Sequence, residues 1–396
     1  MLFQKGELKI LWPFYLASLI FGLSTLITPF IVIYFRELNY SFFQIAILTA
    51  IGSVAVVLFE VPTGAFADGL SRKYSVIIGY ILSGIGVILV AFTQDFYIML
   101  LLFTLMGLGI TFISGAYEAW IVDNLTKHKR EDLRQDFFIK NVSIISFGAI
   151  FAPLVGAFIV KSYSIKPLWI IFGMAFILNS FLLAILAEEL YRPKKINFSK
   201  TLKETIKTSK KGIRYTLTHK TILLLVLAGL FASFMDIAND GWQPLLVNLS
   251  MPTYSLGFLY SITAVFLMIS PFLSKLFKNM KVKHAVSITT FIKMVLIFSI
   301  IFIHPPLFLI AAIIYILSSG FHLINTPLLS DYFHKFVPTN IRATVTSTVS
   351  MIGSLSVAIL SLPAGYLLDL FGPQKIIAHT SLFGILAIIT YQRIKD

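Results

Sequence analysis

The stretch GAFADGLSRK, Gly64 to Lys73, joins two apolar runs, residues 42–66 and 74–93, and fixes how both are read. Each run is long enough to cross a hydrocarbon layer, which takes about 20 residues. The polar stretch between them is too short to be a domain and carries the charges that hydrocarbon excludes. The two runs therefore read as consecutive membrane helices joined by a tight turn. Ten further runs have the same character: 9–35, 96–124, 137–160, 167–187, 221–249, 254–277, 284–303, 305–330, 343–368 and 373–392. The first is too long, and too close to the next span, to be a cleavable signal.

Composition agrees. Of 396 residues 57% are hydrophobic and 13% charged, against about 45–50% and about 25% in a soluble domain, and the mean hydropathy is +0.88. The solvent is lipid. The net charge of +14 suggests nucleic acid only where basic residues form a face of a soluble domain, and here they fall between apolar runs. The absence of cysteine excludes disulfides, thiolate nucleophiles and cysteine metal sites, and leaves the redox compartment unread.

One gap is long. Residues 188–220 carry ten lysines and arginines and split the runs six and six. With a cytoplasmic N-terminus, alternate loops place 26 lysines and arginines on one side and 4 on the other. The positive-inside rule then puts both termini and the central loop in the cytoplasm, and the excess charge becomes an orientation signal and an attraction to anionic lipid. The halves echo each other weakly. Asp123 precedes Arg134 by the same interval as Asp331 precedes Arg342, each pair leading into corresponding spans 5 and 11, and Pro153 with Gly156 is answered by Pro363 with Gly365.

The Gly64–Lys73 stretch resembles the signature loop of the major facilitator superfamily: Gly, three residues, Asp, three residues, then a basic cluster. Gly64 would permit close helix packing, Asp68 would favour a helix N-terminus, and Arg72 would reach a carboxylate at the cytoplasmic end of span 4, where Asp123 stands. Ser71 occupies a position where the family usually has Gly. Glu60 to Thr63 and SGAYEAWIVDNL, Ser114 to Leu125, resemble a prokaryotic branch of drug or metabolite exporters. Span 5, with Gly148, Ala152, Pro153, Gly156 and Ala157, is similar to the Gly-rich helix of the superfamily's proton antiporters, with Ala at two Gly positions. In the second half the loop has decayed, Met280 standing where Asp68 stands in the first. The resemblance implies an all-α membrane protein of twelve transmembrane helices in two pseudo-symmetric six-helix bundles, residues 1–187 and 221–396, joined by a basic cytoplasmic linker at 188–220. It also implies alternating access, which the handling of parallel repeats in this superfamily makes physically natural.

Charges inside spans cost from about 2.5 kcal/mol upward at a helix centre, so each is a functional candidate. Glu60 lies roughly 12 Å above the cytoplasmic end, eight residues before Asp68, as either a coupling carboxylate or a tie between helices. Glu118 and Asp123 are about 140° apart around one helix. Asp123 is assigned with Gly64, Asp68, Arg72 and Lys73 to a cytoplasmic lock, and Glu118 to the cavity, with Trp120 as a packing aromatic. Span 7 carries Asp236, Asn239 and Asp240. Four residues apart on one helix, Asp236 and Asp240 would share a face, resist joint ionisation and hold one proton near neutral pH; Asp240 reads equally as part of a wet outer vestibule. Lys293 in span 9 is expected to snorkel or pair, and Lys140 to pair with Asp136 one turn away. His322 and Asn325 of span 10 are cavity candidates by family analogy, and Phe21 and Phe234 are candidate apolar lining.

No zinc-helix, nucleophile-elbow or phosphate-loop motif is present, so no enzyme activity, metal or cofactor is expected, and active transport would draw on an ion gradient. The sequence thus predicts a monomeric carrier of the inner or plasma membrane whose partners are a small-molecule substrate, protons and the bilayer. Its expected activity is proton-coupled efflux of an amphipathic or hydrophobic compound. Import of a sugar, nucleoside or organic acid, lipid flipping, and a non-transporting sensor stay open as alternatives.

Overall fold

The computed structural model describes residues 3–190, 210–338 and 341–394. Most of the expected linker, residues 191–209, lies outside them. The described residues form helices and no strand. Twelve helices are long and apolar enough to cross a membrane: spans 1–6 are Glu7–Glu37, Phe42–Gly69, Arg72–Val90, Phe96–Lys127, Glu131–Ser162 and Lys166–Leu186, and spans 7–12 are Lys220–Asn248, Ser255–Phe277, Val282–Phe302, Phe308–Phe336, Thr344–Phe371 and Pro373–Gln392. In hydrocarbon a helix satisfies its own backbone polar groups, which is why apolar length alone locates these elements. Local signals set the ends. Ser71 is extended and its Oγ accepts the N–H of Tyr74, starting span 3. Asp95 starts span 4 by accepting the N–H of Ile98 at 2.9 Å, as N-caps do.

The chain divides into two compact units, residues 1–34 with 48–202, and 35–47 with 203–396. In the first, span 3 packs on spans 4 and 6, and span 1 on spans 5 and 6. In the second, span 9 packs on spans 10 and 12, and span 7 on spans 11 and 12. The repetition hinted at by the paired Asp–Arg and Pro–Gly positions is therefore a repetition of packing. Residues 35–47, the end of span 1 and the first turn of span 2, belong with the second unit, where Asp369 of span 11 accepts the N–H groups of Phe42 and Phe43 at 2.8 and 2.9 Å.

Small residues set how closely the helices approach, as expected where lipid offers no hydrophobic drive between helices. A Cβ on Gly148 of span 5 would lie 2.5 Å from the carbonyl carbon of Gly22 in span 1, and one on Gly156 would lie 2.5 Å from the Leu26 oxygen. Gly79 and Gly109 bring spans 3 and 4 together in the same way. Gly64 does not: apart from the backbone of its own helix and its chain neighbours, no described atom lies within 4 Å of where its Cβ would stand, so the close packing expected of it is absent.

Two corresponding spans are interrupted. Span 1 passes through a 3-10 segment at Thr25–Phe30 that contains Pro29. Span 7 is helical over Lys220–Phe234, loosens, forms a 3-10 turn at Asn239–Gly241 and resumes at Trp242–Asn248. Span 4 also breaks, after Ile113, where Gly115 adopts φ +65°.

Gly148→Val is expected to force spans 1 and 5 apart at a cost of about 1–3 kcal/mol, the usual penalty of overpacking. It should lower the melting temperature of the purified protein in detergent, whereas Gly64→Ala should not; equal melting of Gly148→Val and wild type would contradict the close approach.

Candidate functional site

In the first unit the signature stretch builds a charged cluster. Arg72 donates from Nη1 to Asp123 Oδ2 at 2.5 Å and to the Ala119 oxygen at 2.9 Å, and from Nη2 to Asp68 Oδ1 at 3.2 Å. The Arg72 side chain is 15% exposed, so this is a desolvated, charge-assisted set of bonds. Lys73 plays a different part: its Nζ donates to the Ala187 oxygen at 2.6 Å, holding the end of span 6. Glu189, which sequence reasoning did not single out, accepts the backbone N–H groups of Arg72 and Lys73 and the hydroxyl of Ser71. Ser71 is thus the hinge between cap and carboxylate, which accounts for a hydroxyl residue where the family pattern has Gly. The Glu188 oxygen accepts from Trp120 Nε1 and Asn124 Nδ2, so the residues that open the linker are stitched to spans 3 and 4.

A second buried pair lies nearby. Glu7 is fully buried and accepts from Lys140 Nζ at 2.7 Å, from the Tyr15 hydroxyl at 2.6 Å and from the Gln4 N–H at 2.7 Å. Lys140 is 3.9 Å from Asp136. The expected i,i+4 pair with Asp136 is therefore present as the longer of two contacts, and the shorter one is long-range, to a carboxylate with no water of its own. Glu60 and Glu118 are exposed, and their side chains have no hydrogen bond or ion pair to the described residues. Pro153 is buried in span 5 with Gly148 and Gly156.

The second unit contains a cavity of about 540 Å³. Spans 7, 9, 10, 11 and 12 line it, mostly with apolar side chains, and its polar lining includes Ser233, Thr290, Lys293, His322 and Asn325. Lys293 is the one lysine, and no acid or arginine is among the described lining residues. Its Nζ donates to Asp236 Oδ2 at 2.5 Å. The lysine side chain is 8% exposed and the aspartate side chain 44%, so the carboxylate is open on one side while the ammonium depends on it. His322 is within electrostatic reach of both. Asn325 is held by the Thr289 hydroxyl, which donates to its Oδ1 at 2.6 Å.

The break in span 7 corrects one expectation. Asp236 and Asp240 do not sit on one unbroken helix, so the one-face spacing that would make them share a proton is lost, and Asp236 has a cationic partner instead. Asp240 stands beside an aromatic group in which Gln243 Nε2 donates to the Tyr260 hydroxyl at 2.5 Å and the rings of Trp242 and Tyr315 lie 5.3 Å apart. Tyr260 and Tyr315 had no sequence signal, being aromatic residues in apolar runs. Phe234 packs edge-on against Phe383, and Phe21 against Phe176; neither is among the residues that line this cavity.

A family model described as Major Facilitator Superfamily matches residues 14–361. The chain belongs to the major facilitator superfamily. It is 25% identical over 399 residues to YxaM, an MFS-type transporter of Bacillus subtilis strain 168, with 97% of this chain and 96% of that protein covered. It is similar in fold to the nucleoside transporter NupG, with a TM-score of 0.77 at 13% identity over 96% of this chain and 98% of that one. A bacterial homolog of the human lysosomal transporter Spinster, in an inward-facing and unoccupied conformation, gives a TM-score of 0.71 at 15% identity over 97% and 95%. As a member of the superfamily the protein is a multi-pass membrane transporter that works by secondary transport and alternating access.

The Glu7–Lys140 pair gives a stability test. Lys140→Met leaves a buried carboxylate without its cation and should cost about 3 kcal/mol, the lower end for breaking a buried pair since Lys140 keeps some exposure. Adding Glu7→Gln should recover most of the lost melting temperature in detergent. A double variant no more stable than Lys140→Met would show that the pair is not coupled.

Proposed function

We propose that the protein is a proton-coupled carrier of a small amphipathic solute, with Asp236 as the group that takes the proton. The observation that carries this reading is the Asp236–Lys293 pair at a largely apolar cavity of about 540 Å³, a volume within the range of small-molecule sites. Asp236 is open on one side, so a proton can reach it, and protonation removes the partner of a lysine that has little water. Charge in a span is costly and persists where it serves transport. The position supports the same reading, since interrupted spans at corresponding places in the two halves are where transporters of this kind bind substrate and ion, and Asp236 lies in the interruption of span 7.

His322 and Asn325 supply polar contacts for the solute, and Asp240 with Gln243 and Tyr260 forms a second polar group in the same unit. Glu60 and Glu118 are the first unit's titratable candidates. The cluster of Asp68, Arg72 and Asp123, with Gly64 and Lys73 in the same loop, acts in this reading as a conformational lock that stabilises the outward-facing state and opens with the inward one. The protein works as a monomer in the plasma or inner membrane with both termini in the cytoplasm, as the 26-to-4 distribution of basic residues supports.

Two modes use a proton at Asp236. Efflux by exchange draws on the likeness of span 5 to antiporters: its Gly148 and Gly156 pack against span 1, and its Pro153 is buried. Co-transport draws on a separate observation, the cation that protonation sets free.

The test is transport in proteoliposomes with a solute chosen by thermal stabilisation of the purified protein across a compound panel at two pH values. Wild-type affinity should change by about tenfold per pH unit where one proton is linked to binding. Asp236→Asn should flatten that dependence, and Glu118→Gln should leave it. An unchanged pH profile in Asp236→Asn would assign the proton to another group.

A further inference from the structure

The charges at this cavity also specify what it carries. We infer that Lys293 receives the anionic head of an organic monoanion when Asp236 is protonated, so that proton and anion travel together. The inference rests on the reading of Asp236 as the proton site.

The argument is one of charge balance. With the site empty, Asp236 carboxylate and Lys293 ammonium, 2.5 Å apart, neutralise each other. A proton from solution that binds the Asp236 carboxylate makes a neutral acid and leaves the ammonium of Lys293, whose side chain is 8% exposed, without a counter-charge. No acid is among the described residues that line the cavity to replace it. The titratable and charged groups that face this pair are His322, whose position feels both partners, Tyr315, which feels Asp236, and His334 and Tyr391 on the cavity wall. None is a carboxylic acid. Asp240 is placed instead beside Tyr260.

A monoanion restores the balance. Neutral Asp236, cationic Lys293 and the anion sum to zero, as the empty pair does, so the empty and the doubly loaded site are both compensated while either singly loaded site is not. A cationic solute would face the ammonium of Lys293 in both protonation states. The rest of the lining describes the remainder of the molecule: Leu230, Phe321, Leu329, Phe333 and Val349 offer an apolar wall, which suits an aryl or alkyl body behind a carboxylate. Proton and anion each make room for the other, so by linkage each raises the other's affinity by the same factor.

The experiment uses the full-length protein purified in detergent and three probes with one apolar body: 4-phenylbutyrate, 4-phenylbutylamine and 4-phenylbutanol. The carboxylate should raise the melting temperature, more at pH 6 than at pH 8, with a dissociation constant rising about tenfold per pH unit; the amine and the alcohol should not. In weak buffer with a pH dye, wild-type protein should take up one proton for each carboxylate bound, a measurement that needs no variant. Asp236→Asn, which imitates the protonated acid, should bind the carboxylate equally at both pH values. Lys293→Gln should lose it and Lys293→Arg should keep it. Stabilisation by the amine in place of the carboxylate, no stabilisation by the carboxylate at either pH, or undiminished binding in Lys293→Gln overturns the anion assignment and leaves the proton site standing. Carboxylate binding that stays pH-dependent in Asp236→Asn overturns the proton site itself.

Discussion

A charge placed in hydrocarbon must bring its counter-charge with it, and three groups of ionisable side chains in this protein are arranged around that constraint. Glu7 is buried against Lys140, Arg72 is held between Asp68 and Asp123, and Lys293 rests on Asp236. The three differ in one respect that separates structure from transport. At Glu7 and at Arg72 the dependent charge has several partners, so no single protonation frees it. Among the described residues Lys293 has one partner, Asp236, whose side chain is 44% exposed. A site with a single removable counter-charge has two states that differ by one proton, which is what coupling to a gradient requires.

The backbone follows the same logic. A helix in lipid satisfies its own N–H and C=O groups, so it is interrupted only where protein or a cavity takes over. Spans 1 and 7 hold corresponding places in the packing of the two units, and both are interrupted. In span 1 the interruption is filled by close helix contact, with Leu26 against Gly156. In span 7 it carries Asp236, Asn239 and Asp240 beside a cavity. The repeat has kept the break and diverged in what the break holds, tight packing in one half and carboxylates in the other.

The number, length and order of the spans were legible in the sequence because a run of about 20 apolar residues has few alternatives to a membrane helix. The Arg72–Asp123 contact was legible through a spaced motif. Local periodicity was incomplete at one place and misled at another. Asp136 and Lys140 stand one turn apart and do pair, but the shorter bond of Lys140 goes to Glu7, 133 residues away, which no local pattern shows. Asp236 and Asp240 have helical spacing, yet the chain unwinds between them, where Gly241 and, three residues on, Pro244, which has no N–H to donate to Asp240, mark the break as Pro29 does in span 1. The partner of Lys293 lies 57 residues upstream; a single sequence holds both residues without the register that joins them. Glu189 escaped notice for a related reason, since a cap from the end of span 6 onto the start of span 3 has no local pattern.

The same charge constraint links binding to movement. A carrier that exposes its site to each side in turn must carry that site through a state closed to water, and an uncompensated charge is most costly there. The Asp236–Lys293 site is compensated when empty and when it holds both a proton and an anion, and uncompensated when it holds only one of them. Slippage of the proton alone is therefore opposed by the bare ammonium, and slippage of the anion alone by the ionised carboxylate. Under the proposed assignment of proton and anion, coupling needs no separate gate for each solute. It follows from placing one lysine, with little water and one removable partner, in a mostly apolar cavity.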